Sequence, residues 1–202
     1  GVLYFNRQIS QSLPSAAGAT SQNLISALNV TTLEQQVVAV NLKTGEELWI
    51  KVLGNNERVA FGQTMFWQTM NMYGAFSYLW TTVGSTWNAY DPLTGRWEYT
   101  MTNVPSGTRN YGQNGEILIY TVDTTNGWMT QWNSTGVVYK TYANLYLASS
   151  NPGDVANAYY YSERWRPQGL TFDATKGIQW NVTIPKGLPG SATKCYPGDR
   201  II

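Results

Sequence analysis

The chain has 202 residues, with 13 Lys and Arg against 12 Asp and Glu, and only 12% of its residues are charged while 43% are hydrophobic. So large an apolar share with so little charge excludes a disordered chain, and the length is enough to bury a core. A net charge of +1 leaves no electrostatic footprint for nucleic acid or an anionic lipid surface.

With no His and one Cys, the chain holds no Ser-His-Asp triad, no Cys-His pair, no His-bearing metal or haem site and no intrachain disulfide. Cys195, near the end, reads as a small apolar residue or an unpaired thiol. No stretch approaches the ~18 apolar residues of a membrane span.

In chain order, residues 2–5 (Val-Leu-Tyr-Phe) open as a strand. They lack an initiator Met and the charged and apolar regions of a signal peptide, so the sequence reads as a mature chain or an excerpt. Residues 21–28 carry the best helix signal, broken by Asn29-Val-Thr. Strand-favouring runs follow at 76–82, 97–102, 137–142 and 157–161, with Gly/Pro loops at 151–154 and 187–190. The chain closes on a further strand-like stretch, Arg200-Ile-Ile.

One pattern recurs four times: a Val/Ile/Tyr/Phe run, then Asn or Asp, then Gly four positions on, then Trp. The copies are Asn41…Gly45…Trp49, Asp91…Gly95…Trp97, Asp123…Gly127…Trp132 and Asp173…Gly177…Trp180. An Asx side chain bonds its own downstream backbone, and Gly accepts a positive φ without steric cost. Each copy is therefore expected to be a β-hairpin whose Trp wedges between sheets, with Trp49, Trp132 and Trp180 largely buried and Trp97 partly so. Antiparallel repeats of this length predict an all-β fold, a β-propeller of four-stranded antiparallel blades. Four turns, near 41–49, 91–97, 123–132 and 173–180, predict about four blades. Residues 1–202 then form a single propeller domain or a segment of a larger ring. An open arc would leave apolar faces and strand edges uncovered, so further blades or neighbouring subunits are the expected partners.

The stretch Val40-Asn-Leu-Lys-Thr-Gly-Glu-Glu-Leu-Trp49 resembles the blade motif of quinoprotein-like (PQQ-like) β-propellers. Residues 89–95, 103–108 and 111–115, with Gln131-Trp-Asn-Ser-Thr and Trp180-Asn-Val-Thr-Ile-Pro, resemble large archaeal surface proteins with such repeats. The resemblance covers about residues 35–185 and speaks for architecture rather than activity. In the enzymes of that family a Trp floor holds the quinone, a calcium is bound by Glu, Asn and Asp, and many carry a vicinal disulfide that a single Cys cannot make. The repeat residues Asp91, Asp123 and Asp173 sit in turns, where capping the turn explains them. No catalytic, cofactor or metal residue is therefore assigned.

Three N-glycosylation sequons are present, at Asn29, Asn133 and Asn181, none with Pro in the middle position. Asn133 and Asn181 each follow a repeat Trp, at equivalent hairpin edges. Tyr159, Tyr160, Tyr161, Arg164, Trp165 and Arg166 form the most interaction-like patch, weighed against an edge strand protected by charge. The aromatic segment 61–80, with Phe66, Trp67, Tyr73, Phe76 and Tyr78, fits packing between blades better than a stacking platform for sugars. Gly112-Gln-Asn-Gly115 lacks the Lys of a phosphate loop.

The leading expectation is a non-catalytic, glycosylated, extracellular or cell-surface propeller acting as a structural or interaction module without a cofactor. The alternatives are a quinone-dependent dehydrogenase whose cofactor residues lie outside this stretch, and a carbohydrate-binding module using surface aromatics, with glycans as its ligands.

Overall fold

A computed structural model of the chain describes residues 1–9, 34–68, 73–147, 167–189 and 192–202. Among them the fold is mostly β, in several sheets built mainly from antiparallel pairs, and none of them closes on itself. The expected helix at 21–28, the strand at 157–161 and the loop at 151–154 lie outside the described residues. Two compact units divide the chain, Gly1–Ala60 and Phe61–Ile202.

The first unit is a three-stranded antiparallel meander of β1 (Val2–Ile9), β2 (Glu34–Asn41) and β3 (Glu47–Lys51), with β2 in the middle. The run Val37-Val38-Ala39 is fully buried, as suits the one strand with a neighbour on each side. Asn6 extends the pairing beyond the sheet by donating to Val59 O and accepting from Val59 N, as a backbone group would.

Two sheets carry the second unit. One runs β11-β7-β6-β5-β4, from β4 (Val59–Gln68, whose first two residues belong to the first unit), β5 (Tyr73–Val83), β6 (Thr86–Tyr90), β7 (Trp97–Thr102) and β11 (Thr171–Asp173). The other runs β12-β10-β9-β8, from β8 (Thr108–Tyr111), β9 (Ile117–Asp123), β10 (Trp128–Asn133) and β12 (Ile178–Thr183). A small hairpin of β13 (Cys195–Tyr196) and β14 (Arg200–Ile201) completes it, so both strand-like chain ends pair within their own unit.

The core of this unit joins the two sheets. Met65, Trp67, Tyr78, Trp80, Trp87 and Tyr99 pack with Ile117, Ile119 and Trp132, and the rings meet edge-on, Trp80 with Tyr99 at 5.2 Å and Trp87 with Trp132 at 6.2 Å. The buried amide of Gln63 accepts from Trp80 Nε1 (2.9 Å) and donates to Gly115 O (2.8 Å), so this polar group inside the core is satisfied at both ends.

Residues 137–142, expected as a strand, are instead part of α1 (Ser134–Leu147). Asn133 caps it, accepting from Thr135 N at 2.8 Å, and Ser134 Oγ accepts from Ile117 N. Val137, Val138 and Thr141 are buried, a helical spacing, and Tyr139 stacks on Trp67 at 5.0 Å. The β-branched run satisfies either geometry locally, and the cap with one apolar face decides for helix.

The repeated turn is observed, in differing degrees. In the first two copies the bonding matches atom for atom at a step of 50 residues. Asn41 N and Asp91 N donate to Glu46 O and Arg96 O at 2.9 and 2.8 Å. Gly45 N and Gly95 N return to Asn41 O and Asp91 O, with φ of 74° and 62°. The Asx side chains accept from Lys43 N and Leu93 N. Even the bulge recurs, since Ala39 and Val40 face Trp49 and Glu47 as Ala89 and Tyr90 face Tyr99 and Trp97. The third copy keeps the bond from Gly127 N to Asp123 O, with φ 77°, but pairs Trp128 directly with Asp123 and has no bulge.

The fourth copy corrects the expectation of four equivalent hairpins. Residues Ala174–Gly177 form a single 3-10 turn capped by Asp173, and Gly177 has no positive φ. β11 runs parallel to β7 while β12 pairs with β10, so this segment passes from one sheet to the other. Gly177 is required for another reason: a Cβ there meets the Trp132 indole, and Val137 Cγ2 at 2.6 Å. The four motifs therefore occupy three sheets, not four.

The wedge expectation also divides. Trp132 is buried, Trp49 and Trp180 are half-buried, and Trp97 is 46% exposed. Trp97 stands two residues past its Gly where Trp49 stands four past, so its counterpart in the first copy is Glu47, and the buried counterpart of Trp49 is Tyr99. The bulge at Glu98 turns Trp97 and Tyr99 to opposite faces.

Candidate functional site

The sheet that ends in β12 has two faces. Cross-strand pairs place Thr121, Thr130 and Asn181 in one row, and Asp123, Trp128 and Thr183 in the next, all on the face that also carries Ile119 and Trp132. Further along, that face enters the core; at this end it opens into a hollow of about 450 Å³ lined by Pro105, Ser106, Thr121, Trp128, Thr130, Ile178 and Asn181. A second hollow of about 560 Å³ shares Pro105 and Ser106 and is lined beyond them by Trp87, Val104, Arg109 and Ile119. Both volumes fall in the roughly 300–1,000 Å³ range of small-molecule sites. The dividing loop is tied down where Thr121 Oγ1 donates to Ser106 O at 2.5 Å. In the second hollow the Arg109 guanidinium lies 3.6 Å from the Phe61 ring centroid, so its charge is held by an aromatic face.

The acidic groups of the turns serve the turns. Asp91 Oδ1 accepts from Leu93 N, Thr94 N and Thr94 Oγ1. The carboxyl of Asp123 is held below the usual carboxylate range, first by the Asn126 backbone N–H and then by the Asn126 side chain, with the Trp128 indole N–H adding to it. Asp173 is lowered likewise, first by Thr175 N–H and then by Asn103. A carboxylate stabilised in its charged form is a poor general base near neutral pH.

The structure separates the sequons. Asn181 is exposed on the edge strand β12, beside the first hollow. Asn133 is half-buried with its Oδ1 engaged in capping α1, so the two are not at equivalent edges. Asn29 and the patch of Tyr159, Tyr160, Tyr161, Arg164, Trp165 and Arg166 lie outside the described residues. Of the aromatic segment, Trp67 and Tyr78 are in the core and Phe76 packs against it, while Phe66 and Tyr73 are exposed and meet edge-on at 5.3 Å.

Cys195 is buried against Leu118 and Tyr120 on the opposite face of the same sheet, and burial pushes its thiol up. Since the thiolate is the reactive form, a disulfide-exchange reagent at neutral pH is expected to leave the native protein unlabelled and to titrate one thiol per chain in concentrated guanidinium chloride. Fast labelling of the folded protein contradicts this placement.

Asn181 is the one residue of the first hollow that the sequence marked as a candidate site; the other residues lining it carried no such mark. Trp128 follows Gly127 directly and is overshadowed there by Trp132, and Pro105, Ser106 and Thr121 carry no motif. The available signal was the alternation Trp128-x-Thr130 on one strand and Asn181-x-Thr183 on another, which places four side chains on one face only once the two strands are known to pair. No family model matches the chain, nor does any curated protein or solved structure.

Proposed function

We propose that the chain is a stretch of a quinoprotein-like β-propeller that acts as a non-catalytic, glycosylated structural or interaction module, extracellular or on a cell surface. The observation that carries this reading is the use of Asp91, Asp123 and Asp173. Each is bound into its own turn by backbone N–H groups, which supports an architectural rather than a chemical role for the repeat. The atom-for-atom recurrence of the first two turns, in successive antiparallel meanders, supports blades as the repeating unit. Leu3, Phe5 and Ile50 share one face of the first sheet at 47%, 40% and 38% exposure, an apolar surface suited to a further blade or a neighbouring subunit.

The test against a quinone-dependent dehydrogenase is a titration of the protein with pyrroloquinoline quinone and calcium, followed by the quinone absorbance. The expected result is no saturable change. A saturable, calcium-dependent shift overturns the non-catalytic reading.

A further inference from the structure

We propose that the hollow beside β12 seats the first sugar of a glycan linked to Asn181, with the indole of Trp128 as its stacking surface. This rests on the glycoprotein reading above and assigns it a site and a structural consequence.

Two independent features coincide here. Asn181-Val182-Thr183 is a competent sequon on an edge strand, with one side of its backbone unpaired within the sheet. The same strand places Asn181 beside Thr130 and Thr183 beside Trp128, so both polar sequon side chains stand on the face that carries the indole. Asn181 is then a diagonal neighbour of Trp128, a separation of ~7–8 Å between backbones that one pyranose ring bridges.

The chemistry of the lining selects the occupant. Trp128 and Pro105 supply apolar surface, Thr130 and Ser106 supply hydroxyls, and no lining residue is charged, which suits a neutral polyol better than an anion or a cation. The axial C–H groups of a pyranose carry partial positive charge and are attracted to the negative face of an indole. Its strand is held on both sides, Trp128 pairing with Asp123 and with Thr183, so the indole stands on a fixed stretch of backbone. A pre-positioned ring loses little freedom when a sugar settles on it.

Attachment follows ordinary sequon chemistry. On an external transferase the Asn181 carboxamide nitrogen attacks the anomeric carbon of a lipid-phosphate-linked oligosaccharide. The C–N bond forms, the C–O bond to phosphate breaks, the lipid phosphate leaves as the anion, and the amide proton passes to a base of the transferase. Asn133 is the internal comparison, since its amide oxygen is engaged by Thr135 N and Gly136 N at the start of a helix.

The experiment uses the chain purified from a host that N-glycosylates, with glycopeptide masses at each sequon. The wild type is compared with Asn181→Gln, Trp128→Ala and the double variant. The expected result is a glycan at Asn181, a Tm about 2–4 °C above that of Asn181→Gln, and closure of that gap when Trp128 is Ala. Independently of any variant, the ring protons of the first sugar should show upfield ring-current shifts in the wild type. A glycan at Asn29 or Asn133 with Asn181 bare overturns the inference and leaves the glycoprotein reading standing. A glycan at Asn181 with neither the Trp128-dependent gap nor the ring-current shift does the same. A chain bare at every sequon overturns both.

Discussion

Replacing Trp132 by Ala should cost about 4 kcal/mol or more. The side chain is 1% exposed, meets Trp87 edge-on, and donates from Nε1 to Ala174 O at 2.5 Å. Deletion therefore opens a cavity between the two sheets of the second unit and leaves a buried carbonyl without its donor, a further ~1–3 kcal/mol. Gly177 cannot fill the space, because it has no side chain and stands where it does to admit this ring. Trp132→Phe keeps much of the packing and loses the hydrogen bond, so its loss should lie between wild type and Trp132→Ala. Urea unfolding followed by circular dichroism measures both. A loss below ~1 kcal/mol for the Ala variant would mean that Trp132 does not join the sheets.

The second large effect is expected at Gly115, in the turn between β8 and β9. Its φ is 78°, which is strained for any L side chain, and an added Cβ meets Thr64 O, with Met65 Cα at 2.9 Å. Those are backbone atoms of β4, fixed in turn by Phe66 N donating to Asn114 O and Gln63 Nε2 donating to Gly115 O. Neither side can yield without breaking the contact between this turn and β4. Gly115→Ala should therefore cost ~3 kcal/mol or more, from strain and overpacking together. Gly45→Ala is the control: its φ is 74° but a Cβ there meets nothing within 4 Å, so only the conformational penalty of about 1 kcal/mol applies. Equal losses at the two glycines, read from the same unfolding curves, would show that the close approach to β4 contributes nothing.

These two glycines also mark how far the sequence could be read. Gly45 and Gly95 are legible because their cause is local: an Asx side chain, a Gly four residues on and a returning strand specify one turn, and the bonding repeats at 50 residues. Gly177 sits in the same sequence pattern for a different reason, the closeness of Trp132, and nothing within the motif distinguishes the two cases. The same holds for Trp97 and Tyr99. Strand alternation alone puts both residues on one face, but a bulge at Glu98 turns them to opposite faces, and a bulge is a property of two paired strands.

Composition and local pattern alone determined that the chain is mostly β, where most of the described strands run, and which residues cap the hairpin turns, because strand propensity and Asx-turn chemistry act over a few neighbouring residues. Tertiary structure decided that residues 137–142 are helical, that the fourth motif passes between two sheets, and that Trp128 and Asn181 share one face beside a hollow. Each of those outcomes depends on which distant segment lies alongside. Burial against Trp67 and Ile117, pairing of β12 with β10, and the loop at Pro105 and Ser106 are contacts between residues tens of positions apart, and a local pattern carries no record of them.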